Sequence, residues 1–104
     1  MKKKKVYISG QITGLEKETY TALFSYAEKK IESAGYTAIN PARLDDCENP
    51  EKMEWSDFLR RDIKLLCGCD YICLLPNWKE SRGARLEATI AEQLGIQSVN
   101  LTDF

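Results

Sequence analysis

The sequence contains no histidine. That absence removes every mechanism built on an imidazole base. Acid–base or nucleophilic chemistry must then come from carboxylates, tyrosine, cysteine or lysine. Zinc also loses a common nitrogen ligand. The cysteines Cys47, Cys67, Cys69 and Cys73 form no C-x-x-C pair. Buried thiols in a reducing cytoplasm fit this pattern better than a metal or redox site. Neither a metal nor another cofactor is expected. No apolar run approaches the ~18 residues of a membrane span. Val6-Tyr7-Ile8 is too short for the core of a signal peptide, so a cytoplasmic protein is expected. Net charge is only −1, which gives no electrostatic case for nucleic acid. The one basic block, Lys2 to Lys5, reads as a solvated tail before a strand.

What is present is a regular alternation of patterns in 104 residues, the length of a single domain over 1–104 with a modest core. Stability in so short a chain can lean on a partner subunit. Val6 to Ser9 reads as a buried strand ended by Gly10. A helix over Glu18 to Ser33 carries Tyr20, Leu23, Phe24, Ala27, Ile31 and Ala34 on one face. Tyr36 to Ile39 is a second strand, ended at Asn40-Pro41-Ala42. Arg43 to Glu54 is polar and reads as a surface loop. A second helix, Trp55 to Cys67, buries Trp55, Phe58, Leu59, Ile63 and Leu66, with Arg60 and Arg61 directed elsewhere or to the edge. Asp70 to Leu75 is nearly continuous in apolar residues, as a central parallel strand would be. A third helix, Arg82 to Leu94, closes at Gly95, and Ile96 to Leu101 is the last strand. The pattern β-α-β-α-β-α-β predicts an α/β fold: a small Rossmann-like three-layer sandwich with a parallel sheet of about four strands.

In such sheets ligands sit beyond the carboxyl ends of the strands. The loops predicted there are Gly10 to Gly14, Asn40 onward, and Pro76 to Arg82. The stretch Ser81-Arg82-Gly83-Ala84-Arg85-Leu86-Glu87 leads from the central strand into a helix N-terminus, which suits an anion. Glu87 shares its helix face with Gly83, Ala84, Ala91 and Leu94, all expected to pack inward. A carboxylate on a buried face is unusual unless it is paired or used. Asp62 is misplaced in the same way, on the face of Phe58 and Leu59. Its bland reading is a buried ion pair. Tyr7 ends the first strand, so Tyr7, Asp62 and Glu87 are expected to converge. Two carboxylates in a cleft suit glycosyl chemistry: one attacks or stabilises a cationic sugar carbon, the other handles the leaving group's proton. Ser81 and Gly83 at the helix start could hold a hydroxyl or phosphate. Trp78 could stack on a base or simply pack against its loop. Gly10-Gln11-Ile12-Thr13-Gly14 could approach a sugar or phosphate closely, or be only a tight turn.

The segments Tyr7 to Gly14, Asn40-Pro41-Ala42, Arg61-Asp62-Ile63, Cys69-Asp70, Leu75 to Trp78 and Ser81 to Ala88 resemble a small domain family of unknown function, DUF4406. That family is similar to the nucleoside 2-deoxyribosyltransferases and the deoxynucleoside 5′-monophosphate N-glycosidases. The resemblance runs from Val6 to about Val99. It implies Glu87 as nucleophile, Asp62 as catalytic aspartate and Tyr7 as the tyrosine that orients the glutamate. It also implies that Ser81 and the first loop, Gly10, Gln11, Ile12, Thr13 and Gly14, surround a 5′-phosphate; Asn40, Trp78 and Gly83 are the further candidates for substrate binding. Those glycosidases carry an arginine where this chain has Thr13, so Arg82 or Arg85 would have to replace it. The transferases place a carboxylate where this chain has Ser81. The relatives assemble as dimers or larger, and Asn100 is the candidate for a cross-subunit role. The function implied is cleavage or transfer at the N-glycosidic bond of a nucleoside or nucleotide, with neither nucleic acid nor membrane as partner. A non-catalytic sensor of a nucleotide or NAD derivative, and a purely structural domain, are the alternatives.

Overall fold

The computed structural model describes residues 3–44 and 52–104. Cys47 and the acidic Asp45, Asp46, Glu48 and Glu51 of the expected loop lie outside the described residues. Four strands form one parallel sheet: β1 (Lys5–Ser9), β2 (Thr37–Ile39), β3 (Tyr71–Leu74) and β4 (Gln97–Asn100), in the order β2-β1-β3-β4. Helix α1 (Lys17–Ser33) joins β1 to β2. Helices α2 (Pro41–Leu44) and α3 (Trp55–Cys67) lie between β2 and β3, and α4 (Arg82–Gln93) between β3 and β4. The α/β class and the parallel four-stranded sheet are as the alternating pattern predicts.

β1 and β3 are the inner strands, and their composition explains why. Val6, Tyr7 and Ile8 are fully buried, as are Ile72 and Cys73, so neither sheet face can meet water there. Alternation splits them between two layers. Val6, Ile8 and Cys73 pack with Phe24, Ala27 and Ile31 of α1. Tyr7 and Ile72 pack with Leu66 of α3 and Ala91 of α4. β4 is an edge strand and largely exposed.

The order places a topological switch between β1 and β3. From β1 the chain leaves toward β2; from β3 it leaves toward β4 on the other side. The two following loops therefore diverge and open a crevice at the carboxyl ends of these strands. Gly10 sits at that point, and its lack of a side chain is a packing requirement. A Cβ there would lie 2.7 Å from Leu75 Cδ1 and 3.0 Å from Leu75 Cβ.

Several local expectations are corrected. Arg43 and Leu44 are helical, not loop, because Asn40 caps α2: its Oδ1 accepts the Ala42 N–H at 3.0 Å, and Pro41 begins the turn with φ already set. Arg43 then pairs with the buried Glu28 of α1. Leu94 is 55% exposed, because α4 ends at Gln93 and Leu94 is the capping residue beyond it. Ala34 is exposed as the residue closing α1, and Trp55 is partly exposed at the first turn of α3.

Gly10→Ala should cost about 1–3 kcal/mol through overpacking. Gly68→Ala should be neutral or stabilising by up to about 1 kcal/mol, since Gly68 has φ −90° and a Cβ there meets only the Leu65 carbonyl at 3.6 Å. Urea unfolding of the two variants checks the contrast. Equal effects would contradict it.

Candidate active site

Period two places Tyr7 and Ser9 on the same face of β1, toward α4. Both reach Glu87 on the buried side of that helix. The Tyr7 hydroxyl donates to Glu87 Oε2 at 2.7 Å, and the Ser9 hydroxyl donates to Oε1 at 2.8 Å. Glu87 is 5% exposed, and each of its oxygens thus holds an O–H donor. Burial is the largest influence on this carboxyl and pushes its pKa up to about 7. The two hydroxyls oppose that rise by bonding the ionised form, and the Asp62 carboxylate adds to it. Burial first, and then Glu87 and Asp62, hold the Tyr7 phenol well above its ordinary value of 10. Tyr7 therefore stays a donor near neutral pH.

Asp62 reaches the same place from α3. Its Oδ1 accepts from Arg61 Nη2 at 2.8 Å and from Arg61 Nε at 3.0 Å. Arg61 also donates to the Pro41 carbonyl at 3.3 Å and stacks over Phe58 at 5.4 Å. Arg61 is thus turned into the site, contrary to the expectation that it points elsewhere, because Asp62 and the α2 carbonyl both attract its guanidinium. The ion pair expected as the bland reading of Asp62 is present, and it lies in the cavity wall.

Tyr7, Asp62 and Glu87 line one cavity of about 310 Å³ beside the switch point. Gly10, Ile12, Thr13, Ser81 and Gly83 line it too. Ser81 caps α4, accepting the Ala84 N–H at 3.1 Å. The remaining sequence candidates are placed elsewhere. Gln11 donates its backbone N–H to Asn77 Oδ1 and its side-chain amide to the Thr13 carbonyl. Gly14 takes φ +92° in the turn before α1. Asn40 is spent capping α2. Trp78 and Arg85 line a separate open groove between α4 and β4, on the far side of α4 from Glu87. Arg82 stacks on Trp55 at 4.2 Å.

Sequence reasoning missed Ser9 as a partner of Glu87, although its spacing from Tyr7 carried that signal. It also missed the aromatic and cationic wall: Trp55, Phe58 and Arg61 from α3, Tyr20 and Lys17 from α1. Trp55, Phe58 and Asp62 fall on one face at helical spacing, so this wall was readable once Asp62 was turned inward. Among the described residues no three His, Cys, Asp or Glu side chains gather as metal ligands. Burial pushes the Cys69 and Cys73 thiols up to about 11, so neither is a ready nucleophile. Chemically, the site offers a buried carboxylate held from both sides, a second carboxylate beside a guanidinium, and aromatic walls that suit a flat ring.

The family model described as a domain of unknown function, DUF4406, matches residues 4–100. The chain belongs to the DUF4406 family. No curated protein matches it in sequence. Solved structures share its fold, two enzymes among them. One is a 2-deoxyribosyltransferase from the psychrotolerant bacterium Bacillus psychrosaccharolyticus, 18% identical, with a TM-score of 0.71 over 92% of this chain and 70% of that one. The other is the CMP N-glycosidase of Clostridium botulinum, also 18% identical, with a TM-score of 0.62 over 93% of this chain and 67% of that one. At this identity the likeness speaks for the fold: the DUF4406 chain has the architecture of nucleoside 2-deoxyribosyltransferases.

The pKa of Glu87 makes a stability test possible. The folded carboxyl holds its proton to about pH 7, against an ordinary 4.5. The stability it contributes is therefore complete below 4.5 and lost as pH rises through 7. At about 1.4 kcal/mol per pKa unit, ionising it in the fold costs roughly 3 kcal/mol. Glu87→Gln, which keeps the shape without the charge, should raise Tm by several degrees at pH 8.5 and hardly at all at pH 5. An equal change at both pH values would contradict the buried, high-pKa carboxyl.

Proposed function

We propose that this DUF4406 chain breaks or transfers the N-glycosidic bond of a nucleoside or nucleotide, with Glu87 as nucleophile. The observation that carries the reading is the Glu87 carboxylate, buried at the floor of a cavity and held at both oxygens by Tyr7 and Ser9. Two structures of the same fold, a 2-deoxyribosyltransferase and a CMP N-glycosidase, support it.

In this reading the base packs against Phe58 and Trp55, and the sugar lies over Glu87. The carboxylate attacks C1′ as the C1′–N bond breaks through an oxocarbenium-like transition state. A negative oxygen beneath that carbon lowers the barrier, the more so in a site shielded from water. The bond's electron pair goes to the base nitrogen. Asp62, on the same cavity wall, takes the proton of the incoming water or base and passes it to that nitrogen. Of the cations weighed for a 5′-phosphate, Arg82 is engaged with Trp55 and Arg85 faces another groove. Lys17 and Arg61 are the cations on the cavity wall. The same reading takes the chain as a cytoplasmic enzyme working as a homo-oligomer, whose contact would cover the exposed Leu86 of α4 and Leu94 just beyond it.

A panel of ribo- and deoxyribonucleosides and their 5′-monophosphates, followed by chromatography for free base, tests this. Wild type should release base from at least one of them, and Glu87→Ala should abolish release while ligand still binds. Binding without release would make the domain a sensor; neither would leave the cavity a structural feature. Because the nucleophile must be ionised, kcat/KM should rise with pH to a plateau above about 7, the value of the Glu87 carboxyl. A rate that falls through that range would contradict Glu87 as nucleophile.

A further inference from the structure

Glu87 carries two hydroxyl donors, and they are not equivalent. Tyr7 lines the cavity together with Glu87, whereas Ser9 does not. Ser9 is 1% exposed and approaches Oε1 from within the sheet layer. We propose that Ser9 is a positioning residue that decides which Glu87 oxygen attacks, holding Oε1 in the interior so that Oε2, beside Tyr7, meets the sugar. The inference rests on the glycosidic reading above for its kinetic part, and on geometry alone for the clamp.

The assignment has a chemical consequence. In the first step an Oε2 lone pair bonds C1′, the C1′–N bond breaks, and the base leaves as its anion with the electron pair. The enzyme then holds a glycosyl ester whose carbonyl oxygen is Oε1, still bonded by the Ser9 hydroxyl. In the second step water bonds C1′, the C1′–Oε2 bond breaks, and its electron pair returns to the carboxylate. Water's proton passes by way of Asp62 to the base anion. Negative charge disappears from Glu87 in the first step and returns in the second. A donor on Oε1 therefore favours ester breakdown, not ester formation. Ser9 is thus a promoter of turnover, placed where no substrate touches it.

The groups facing Glu87 are Tyr7 from β1, Asp62 with its Arg61 from α3, and, on the same cavity, Lys17 from α1. Ser9→Ala changes none of these charges, so its effect on Glu87 reports the lost hydroxyl. The Glu87 carboxyl can be followed in protein labelled with carbon-13 glutamate, its signal identified by its absence in Glu87→Gln. Ser9→Ala should move the titration midpoint up by about one pH unit, the effect of losing one hydrogen bond to a charged group. Ser9→Thr should restore it. At pH 9, where Glu87 is ionised in both forms, Ser9→Ala should lower kcat and KM together by about tenfold, leaving kcat/KM nearly unchanged, with glycosyl ester accumulating in a burst.

An unmoved midpoint overturns the clamp whatever the activity. A moved midpoint with kcat and kcat/KM falling equally assigns Ser9 to the first step and overturns the oxygen assignment. Absence of turnover in wild type would fail the glycosidic reading and with it the oxygen assignment, while the titration still decides the clamp. If Ser9→Ala does not fold, Ser9→Cys, near in size and a weak donor, takes its place in both measurements.

Discussion

A carboxylate buried between a strand and a helix survives only if its oxygens are satisfied. In this chain the satisfaction comes from residues far away in sequence, Tyr7 and Ser9 at one end and Glu87 near the other. Much of the architecture serves to make that meeting possible. β1 must be an inner strand so that its side chains reach a helix layer instead of water. α4 must follow β3 directly, so that its first turns lie over the end of β1. Ser81 must stop the preceding turn and start the helix, which it does by accepting the Ala84 N–H. Gly10 must be bare so that the chain can leave β1 against Leu75. Each is a separate constraint, and Glu87 stands where they intersect.

The arrangement runs against stability. Ionising Glu87 in its buried place costs folding free energy above neutral pH, and Asp62 adds repulsion. The flanking core offsets this: Leu66, Ile72 and Ala91 are fully buried around Tyr7. Local disfavour at one point, sustained by consistent packing elsewhere, is what a functional site costs a fold, and it supports the role proposed for Glu87. The Arg61–Asp62 pair repeats the pattern on the opposite wall. Removing either partner of such a pair leaves a charge without its counterpart in a half-shielded place.

Much of this was legible in the sequence, for physical reasons. The four strands follow from short apolar, β-rich runs, the three long helices from a period of 3.6, and the all-parallel sheet from helical crossovers. Glu87 and Asp62 stood out because each sat on an apolar face. The structure brings both to one cavity with Tyr7. What stayed hidden depended on strand order and on side-chain direction. The β2-β1-β3-β4 order also requires knowing which edge strand flanks which inner strand, and apolar content does not say. For Trp78 the sequence leaves open a base platform or packing against its loop; the short turn at Trp78–Glu80 carries it to the other side of α4. Trp55, a helical turn and more before Asp62, takes the cavity wall instead. α2 was missed because Asn40-Pro41 was read as a strand stop, although the same pair is a helix cap and first turn. Ser9 is uncharged and small, so only its spacing of two from Tyr7 marks it as a partner of Glu87.

The central claim is that Glu87 forms a covalent bond with the sugar. Acid-quenched reaction mixtures, digested and read by mass spectrometry, test it most directly. With a nucleoside or nucleotide that releases base, the peptide bearing Glu87 should carry the added mass of the sugar, and the adduct should vanish in Glu87→Gln. Base release with no adduct on that peptide, or with the sugar on another residue, would contradict the account.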